Sequence, residues 1–509
     1  MGNTKYTDDI KRQAVVIIHG IGEQRPMDTL RGFVNALFHK ENQDDDENKG
    51  RPYHSKPDTI SDSYELRRIK LRKFKDPKTG ISINEDWKYK TDFFEYYWAH
   101  HMSGTEWGHV WAWIRRILCR SWKDLTEKEN SKREAYQNSR QGPLYAWTWA
   151  LIIVASVVVL VFASGIFTWS PAVVTTTGVP AILFALIVKF LPRRFLGEVK
   201  NTIGDAARYL DIAPANIARR YDILRGGKEM LRSLHEQTSK YTEKDKVRYV
   251  YDRIVIVGHS LGSIIAYDLL KHYWAEVNGH LQIEHGKALE ETESFDRPED
   301  CPDIGKTSHL NHNLFWKAQY NLWRGLNGEW LGKEEFESDK APRARWLITD
   351  FITLGSPLSY GALLLADSVD DFKTRTELRE LPICPPDRSR HIRPCHFVVP
   401  LVEEADVSAA KSFDILHHGA LFAVTRWTNF YFPKDLIAGK VKNVFGEGIR
   451  DIELIEGPNS WFRSHTSYWD LKSTKCLDEL RTILKDVRWA EPMVEPASVG
   501  KSEALPTTA

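Results

Sequence analysis

Gly258-His259-Ser260-Leu261-Gly262 closes an apolar, β-branched run from Ile254 to Val257, and a second apolar stretch runs on from Leu261 to Leu270. A serine at such a position sits on a sharp turn between a buried strand and a helix. Flanking glycines remove side chains that would clash there. The hydroxyl then projects into open space, and the helix N-terminus behind it favours negative charge. The chemistry is nucleophilic attack, which needs a histidine to take the serine proton and a carboxylate to orient that histidine. The bland alternative is a Gly/Ser turn joining a strand to a helix.

Positioning such a group takes several strands ending at one rim. Ala14 to Ile18 reads as a short strand, followed by His19-Gly20-Ile21-Gly22 and a helix from Asp28 to His39. Tyr64 to Lys73 and Phe93 to Trp98 read as further strands, and residues 201–237 as a helical region rich in Arg and Ala. Arg253 to Val257 leads into the serine turn. Trp346 to Leu354 is another apolar strand, ending in Gly355-Ser356-Pro357. His396 to Val399, Leu421 to Val424 and Ile452 to Ile455 are shorter candidates, and Leu471 to Val487 is the last helix. Strands alternating with helices predict an α/β fold: a mostly parallel sheet with helices on both faces, chemistry gathering at the carboxyl ends of its strands. Residues 275–342 are charged and weakly patterned, as lids and inserted loops often are.

The 509 residues carry 70 Lys+Arg against 69 Asp+Glu, so no global charge points to nucleic acid. Five scattered cysteines form no CxxC pair and imply a reducing compartment. His272, His280, His285, His309 and His312 lack metal-ligand spacing. Gly226-Gly227-Lys228 lacks the strand and spacing of a phosphate loop, so no metal or cofactor is expected.

Gly142 to Val188 contains no Asp, Glu, Lys, Arg or His. Within it, Leu144 to Phe167 would form a helix of roughly 36 Å, longer than the ~30 Å hydrocarbon core of a bilayer. Ser170-Pro171 breaks it, and Val173 to Leu191 offers a weaker second span. Lys132, Arg133 and Arg140 precede the pair; Lys189, Arg193, Arg194 and Lys200 follow it, while the connecting loop is uncharged. These features predict a multi-pass transmembrane hairpin over 144–191 with both soluble parts facing the cytoplasm. A buried hairpin in a soluble protein is the competing reading. Upstream, Trp107, Val110, Trp111, Ile114, Ile117, Leu118 and Trp122 recur at helical spacing, with Arg115, Arg116, Arg120 and Lys123 largely off the stripe. That pattern fits a helix lying in a membrane surface or one packed on the protein's own core.

Five segments together carry a resemblance: VVIIHGIG (15–22), VIVGHSLG (255–262), ITLGSPLS (352–359), RWTNFYFPKDLIAG (426–439) and SHTSYW (464–469). In kind and order the chain resembles the lipase-like and esterase-like members of the α/β-hydrolase superfamily. The resemblance implies Ser260 as nucleophile, His465 as base and Asp435 as acid, with His417 and His418, and Asp414 and Asp451, as alternatives. It implies an oxyanion hole from the N–H of Leu261 and the Gly20-Ile21-Gly22 loop, with His19 structural. The core would then be divided. Residues 1–100 hold its first part and the oxyanion loop, and 101–240 a helical insertion with the hairpin. Residues 241–490 hold the elbow, the 275–342 insertion, the acid and the histidine; 491–509 form a disordered tail.

The implied function is a membrane-associated serine hydrolase acting on carboxylic esters, of lipids in particular, with the ester and the membrane as its partners. An acyltransferase or thioesterase would use the same residues. A non-catalytic membrane scaffold is the alternative of a different class.

Overall fold

The computed structural model describes residues 11–20, 25–38, 52–57, 60, 67–71, 74–75, 82–83, 87–102, 209–210, 214–237, 246–247, 249–281, 283–284, 312–327, 336–337, 344–386, 396–400, 412–435, 437–458 and 461–486. The expected hairpin (144–191), the amphipathic stripe and the tail lie outside them. No described helix is long and apolar enough to cross a membrane.

The protein is an α/β structure built on an eight-stranded mixed sheet. Its strands are β1 (Arg12–Ile18), β2 (Tyr53–Pro57), β3 (Arg67–Leu71), β4 (Lys90–Tyr96), β5 (Arg253–His259), β6 (Ile348–Leu354), β7 (Arg426–Tyr431) and β8 (Arg450–Glu453). Their order is β8-β7-β6-β5-β1-β4-β3-β2. The six from β8 to β4 are parallel; β3 and β2 extend one edge antiparallel.

Both faces are covered, so the central strands are apolar on successive residues rather than on alternate ones. Val15, Ile17, Val255 and Val257 face a layer that includes α1 (Asp28–Leu37) and the C-terminal helix. Ala14, Val16, Ile18, Ile254 and Ile256 face α2 (Pro214–Glu236), α3 (Leu261–Val277) and α4 (His312–Asn327). Further helices include α5 (Val369–Glu377), α6 (Trp461–Thr466) and α7 (Thr474–Lys485), the last on the α1 side.

Two segments differ from the sequence reading. Leu421 to Val424 is not a strand: Leu421–Ala423 is a 3-10 turn buried on the α3 side, and the strand is the following Arg426–Tyr431. Within 275–342 the structure places α4, which buries Phe315, Leu322 and Trp323 against the core.

Helix α2 runs antiparallel to the parallel strands. Near its start, Arg219 Nη1 donates to His101 O (3.0 Å), and Tyr96 at the carboxyl end of β4 donates to Ile223 O. Near its end, His235 Nε2 accepts from Leu347 N–H (3.1 Å), just before β6 begins. The chain therefore leaves the described residues at Met102 and returns at Tyr209 and Pro214 by the carboxyl ends of the strands.

The amino ends are held by buried charge. Asp350 lies between Arg253 (Nη2–Oδ2 2.6 Å) and Arg426 (Nη2–Oδ1 2.8 Å), all three within the core. Burial alone would raise the Asp350 carboxyl, but the two guanidinium groups hold it below the usual carboxylate range. Arg253 also donates to Gln13 Oε1 (2.9 Å), Thr349 Oγ1 (2.8 Å) and Ile483 O (3.0 Å), tying β1, β5, β6 and α7 together. Removing one charge of such a group strands the others without compensation. Asp350→Asn should cost about 3–5 kcal/mol, read as a lower urea midpoint; a loss under about 1 kcal/mol would mean the charges are not desolvated as described.

Candidate active site

β1 and β5 are neighbours, yet the helices that follow them pack on opposite faces of the sheet. In open α/β sheets such a parting at the carboxyl ends is where ligands bind. His19-Gly20 follows β1 at that point and Ser260 follows β5.

Ser260 has φ 53° and ψ −129°, a backbone state that costs a non-glycine residue energy and persists only where its surroundings impose it. Here Ser260 N–H donates to Leu354 O at the end of β6 (3.0 Å). Ser260 O accepts from Ser263 N–H (3.0 Å) and Ser263 Oγ (2.6 Å). Space is the second constraint. A Cβ on Gly262 would lie 2.3 Å from the carbonyl oxygens of Ile18 and His19, and one on Gly20 would lie 2.8 Å from Ser260 Cβ. The two turns are thus in direct contact, and glycine is what permits it.

The structure brings Ser260, His465 and Asp435 together. His465 Nε2 lies 2.8 Å from Ser260 Oγ, and His465 Nδ1 lies 2.9 Å from Asp435 Oδ2. His465 sits in the short helix α6, with Asp435 on the turn after β7. Asp435 is fully buried. Burial would raise its carboxyl, but hydrogen bonds from His465, from Tyr468 Oη (2.7 Å) and from Ile437 N–H to Oδ1 (2.9 Å) hold it below the usual carboxylate range. The carboxylate stays ionised and accepts from Nδ1–H, leaving Nε2 free to accept the serine proton.

Leu261 is the first residue of α3, so its N–H is among those without an intrahelical partner. Gly20 packs against Ser260, the residue before Leu261; Ile21 lies outside the described residues. His19 is turned away from the chemistry. Its ring stacks on Trp98 (5.0 Å, 9°), Nδ1 donates to Gly20 O (2.8 Å), and burial lowers its pKa to about 4, so it stays neutral.

The alternatives are occupied elsewhere. His417 Nδ1 accepts from Gly419 N–H (3.0 Å), and His418 is exposed. Asp451 accepts from Asn429 Nδ2 (2.7 Å), Val441 N–H and Lys442 N–H. Asp414 lies on an antiparallel strand (Ser412–Leu416) outside the central sheet. Among the described residues no group of three or more His, Cys, Asp or Glu could hold a metal ion.

Two nearby residues were not assigned from sequence. His259 is buried, its pKa pushed down to about 3, so as a neutral ring it donates from Nε2 to His465 O (2.9 Å). Tyr468 bonds the acid. Both stood inside the quoted motifs, but a histidine beside a serine and a tyrosine in an aromatic patch look like packing.

What fold and site define is an α/β protein carrying a Ser–His–Asp relay at the carboxyl end of a mostly parallel sheet. The chain matches no family model, no curated protein and no solved structure. Its chemistry therefore rests on the site itself.

The segment leading from Gly20 into α1 carries a titrating anchor. Glu95 on β4 is buried and accepts Met27 N–H on Oε2 (2.5 Å), while Oε1 has no partner among the described residues. Burial pushes its carboxyl up to about 7. The folded state therefore holds a proton that the unfolded chain releases above the ordinary carboxylate range. The stability this contributes is full below that range and is lost as pH rises toward 7. Glu95→Gln keeps an acceptor for Met27 and removes the charge. Its thermal midpoint should exceed wild type at pH 8, by up to on the order of 2–3 kcal/mol of stability, and match it near pH 4. An equal effect at both pH values would contradict this.

Proposed function

We propose that the chain is a serine hydrolase of α/β-hydrolase type that cleaves carboxylic esters, in particular the acyl esters of lipids at a membrane. The observation that carries this reading is the continuous relay from Ser260 Oγ through His465 to Asp435, at 2.8 and 2.9 Å.

On this reading the reaction runs in two steps. His465 Nε2 takes the Ser260 proton as Oγ bonds to the ester carbonyl carbon. The carbonyl oxygen gains negative charge beside the N–H of Leu261 and the backbone of Gly20. The tetrahedral adduct collapses as His465 returns the proton to the departing alkoxide, which leaves as the alcohol. Water then gives a proton to His465 and attacks the acyl-serine. Collapse of that second adduct frees the carboxylic acid and restores the Ser260 hydroxyl.

The lipid part of the proposal rests on the uncharged stretch 142–188 and its basic flanks. The structure adds support: the chain departs at Met102 and returns at Tyr209 on the rim that bears Ser260. An apolar segment anchored there is tethered on the side from which the nucleophile is reached.

A fluorophosphonate probe should label the full-length protein, and Ser260→Ala should abolish labelling and lower short-chain ester hydrolysis on the order of 10⁴-fold or more. Unchanged hydrolysis by Ser260→Ala would overturn the hydrolase. Separately, the full-length protein should stay in the membrane pellet through an alkaline carbonate wash; recovery in the supernatant would remove the membrane claim and leave the hydrolase standing.

A further inference from the structure

The acid of the relay has a second side-chain partner with no part in proton transfer. Tyr468 Oη lies 2.7 Å from Asp435 Oδ2, the same oxygen that faces His465 Nδ1. It also lies 3.2 Å from Phe432 N. A backbone N–H can only donate, so the phenol oxygen accepts from Phe432 and its one proton goes to the carboxylate. The direction of both bonds is thereby fixed.

The surroundings leave the phenol little choice of place. Tyr468 is fully buried, its ring packing on Phe432 at 4.8 Å. Burial, then the Asp435 charge, pushes its pKa well above the usual tyrosine value, so it remains a donor throughout the working pH range. Asp435, by contrast, sits on a turn beyond the last hydrogen bonds of β7, where nothing in the strand itself fixes its side chain. Ile437 N–H holds Oδ1, and Tyr468 holds Oδ2 to the end of the strand through Phe432.

We propose that Tyr468 is a positioning residue of this site: its hydroxyl ties the Asp435 carboxylate to the end of β7, so that Oδ2 meets His465 Nδ1. The proposal rests on the hydrolase reading above. His465 and Tyr468 stand three residues apart, so the base and the group that positions its acid are carried by one segment. Because Oδ2 shares its charge between the two donors, Tyr468 also limits how strongly the carboxylate stabilises protonated His465.

Tyr468→Phe keeps the ring and removes only the hydroxyl. With a soluble short-chain ester, kcat should fall about ten- to hundredfold, the cost of losing a hydrogen bond to a charged group, while KM stays nearly unchanged. The acid limb of the kcat/KM–pH profile should move to higher pH, because Oδ2 then serves His465 alone. In an Asp435→Asn background the same substitution should add little to the loss, read as the rate of fluorophosphonate labelling. Wild-type kcat in Tyr468→Phe, an unmoved acid limb, or an equal loss in both backgrounds would overturn the assignment. Should Tyr468→Phe not fold, 3-fluorotyrosine at position 468 keeps the hydroxyl as a stronger donor and should move the acid limb to lower pH. A limb that stays in place overturns the assignment equally. Wild-type protein that does not label at Ser260 would instead remove the hydrolase reading, and with it this role.

Discussion

One steric contact organises the rest: the first turn of α3 begins against the last carbonyls of β1. Gly262 stands where a single Cβ would press to 2.3 Å from Ile18 O and His19 O. To begin a helix there, the chain must turn within one residue of the end of β5, and that residue is Ser260 at φ 53°. The positive φ is thus imposed by packing between two strand ends. The surroundings hold it by bonding Ser260 N–H to β6 and Ser260 O to the new helix. The same contact brings Gly20 beside Ser260. The serine and its environment are therefore set by one packing decision.

The two ends of the sheet divide the labour. At the amino ends, Arg253, Asp350, Arg426 and Gln13 lock strands and α7 together through buried ion pairs and hydrogen bonds. Such a network adds little net stability over an apolar core, but it tolerates no missing member and so fixes register. At the carboxyl ends the polar groups converge on turns instead. Asp435 and His465 lie on short segments after β7 and within α6, each needing ties from neighbours: Ile437 and Tyr468 for the acid, His259 for the backbone of the base. A rigid base with a pinned but strained rim is the arrangement a preorganised site requires.

Legibility in the sequence followed the same division. β5, the turn and α3 could be read because an apolar run, small residues and a second apolar run occur in sequence. Asp435 and His465 came through order and motif resemblance, and the structure places both beside Ser260. β7 was hidden because Arg426, Thr428 and Asn429 look wrong for a central strand. Arg426 is answered by Asp350, and Asn429 by Thr353, Asp451 and Gly439 O, partners outside the strand. The apolar Leu421 to Val424 next to it imitated a strand for the converse reason: its side chains fill the layer beside the sheet. Helix α4 was masked by the charged residues around it, though Phe315, Leu322 and Leu326 keep a helical period. Tyr468 could not be assigned because a buried tyrosine shows its ring in composition and its hydroxyl partner only in space.

Sidedness joins the site to the proposed substrate. β5 has seven residues, so its two ends, six steps apart, are separated by roughly 20 Å at about 3.3 Å per residue. A segment joining the fold at the amino ends would meet it that far from Ser260, along the full length of the strands. The chain instead departs six residues after β4 ends at Tyr96, and rejoins at the start of α2, beside His101. Both junctions are at the carboxyl ends of the strands. On the lipid-ester reading, a membrane-bound acyl group then approaches the side of the fold that carries the nucleophile. Met102 follows β4 and Tyr209 precedes β5, the two strands that flank β1 on either side.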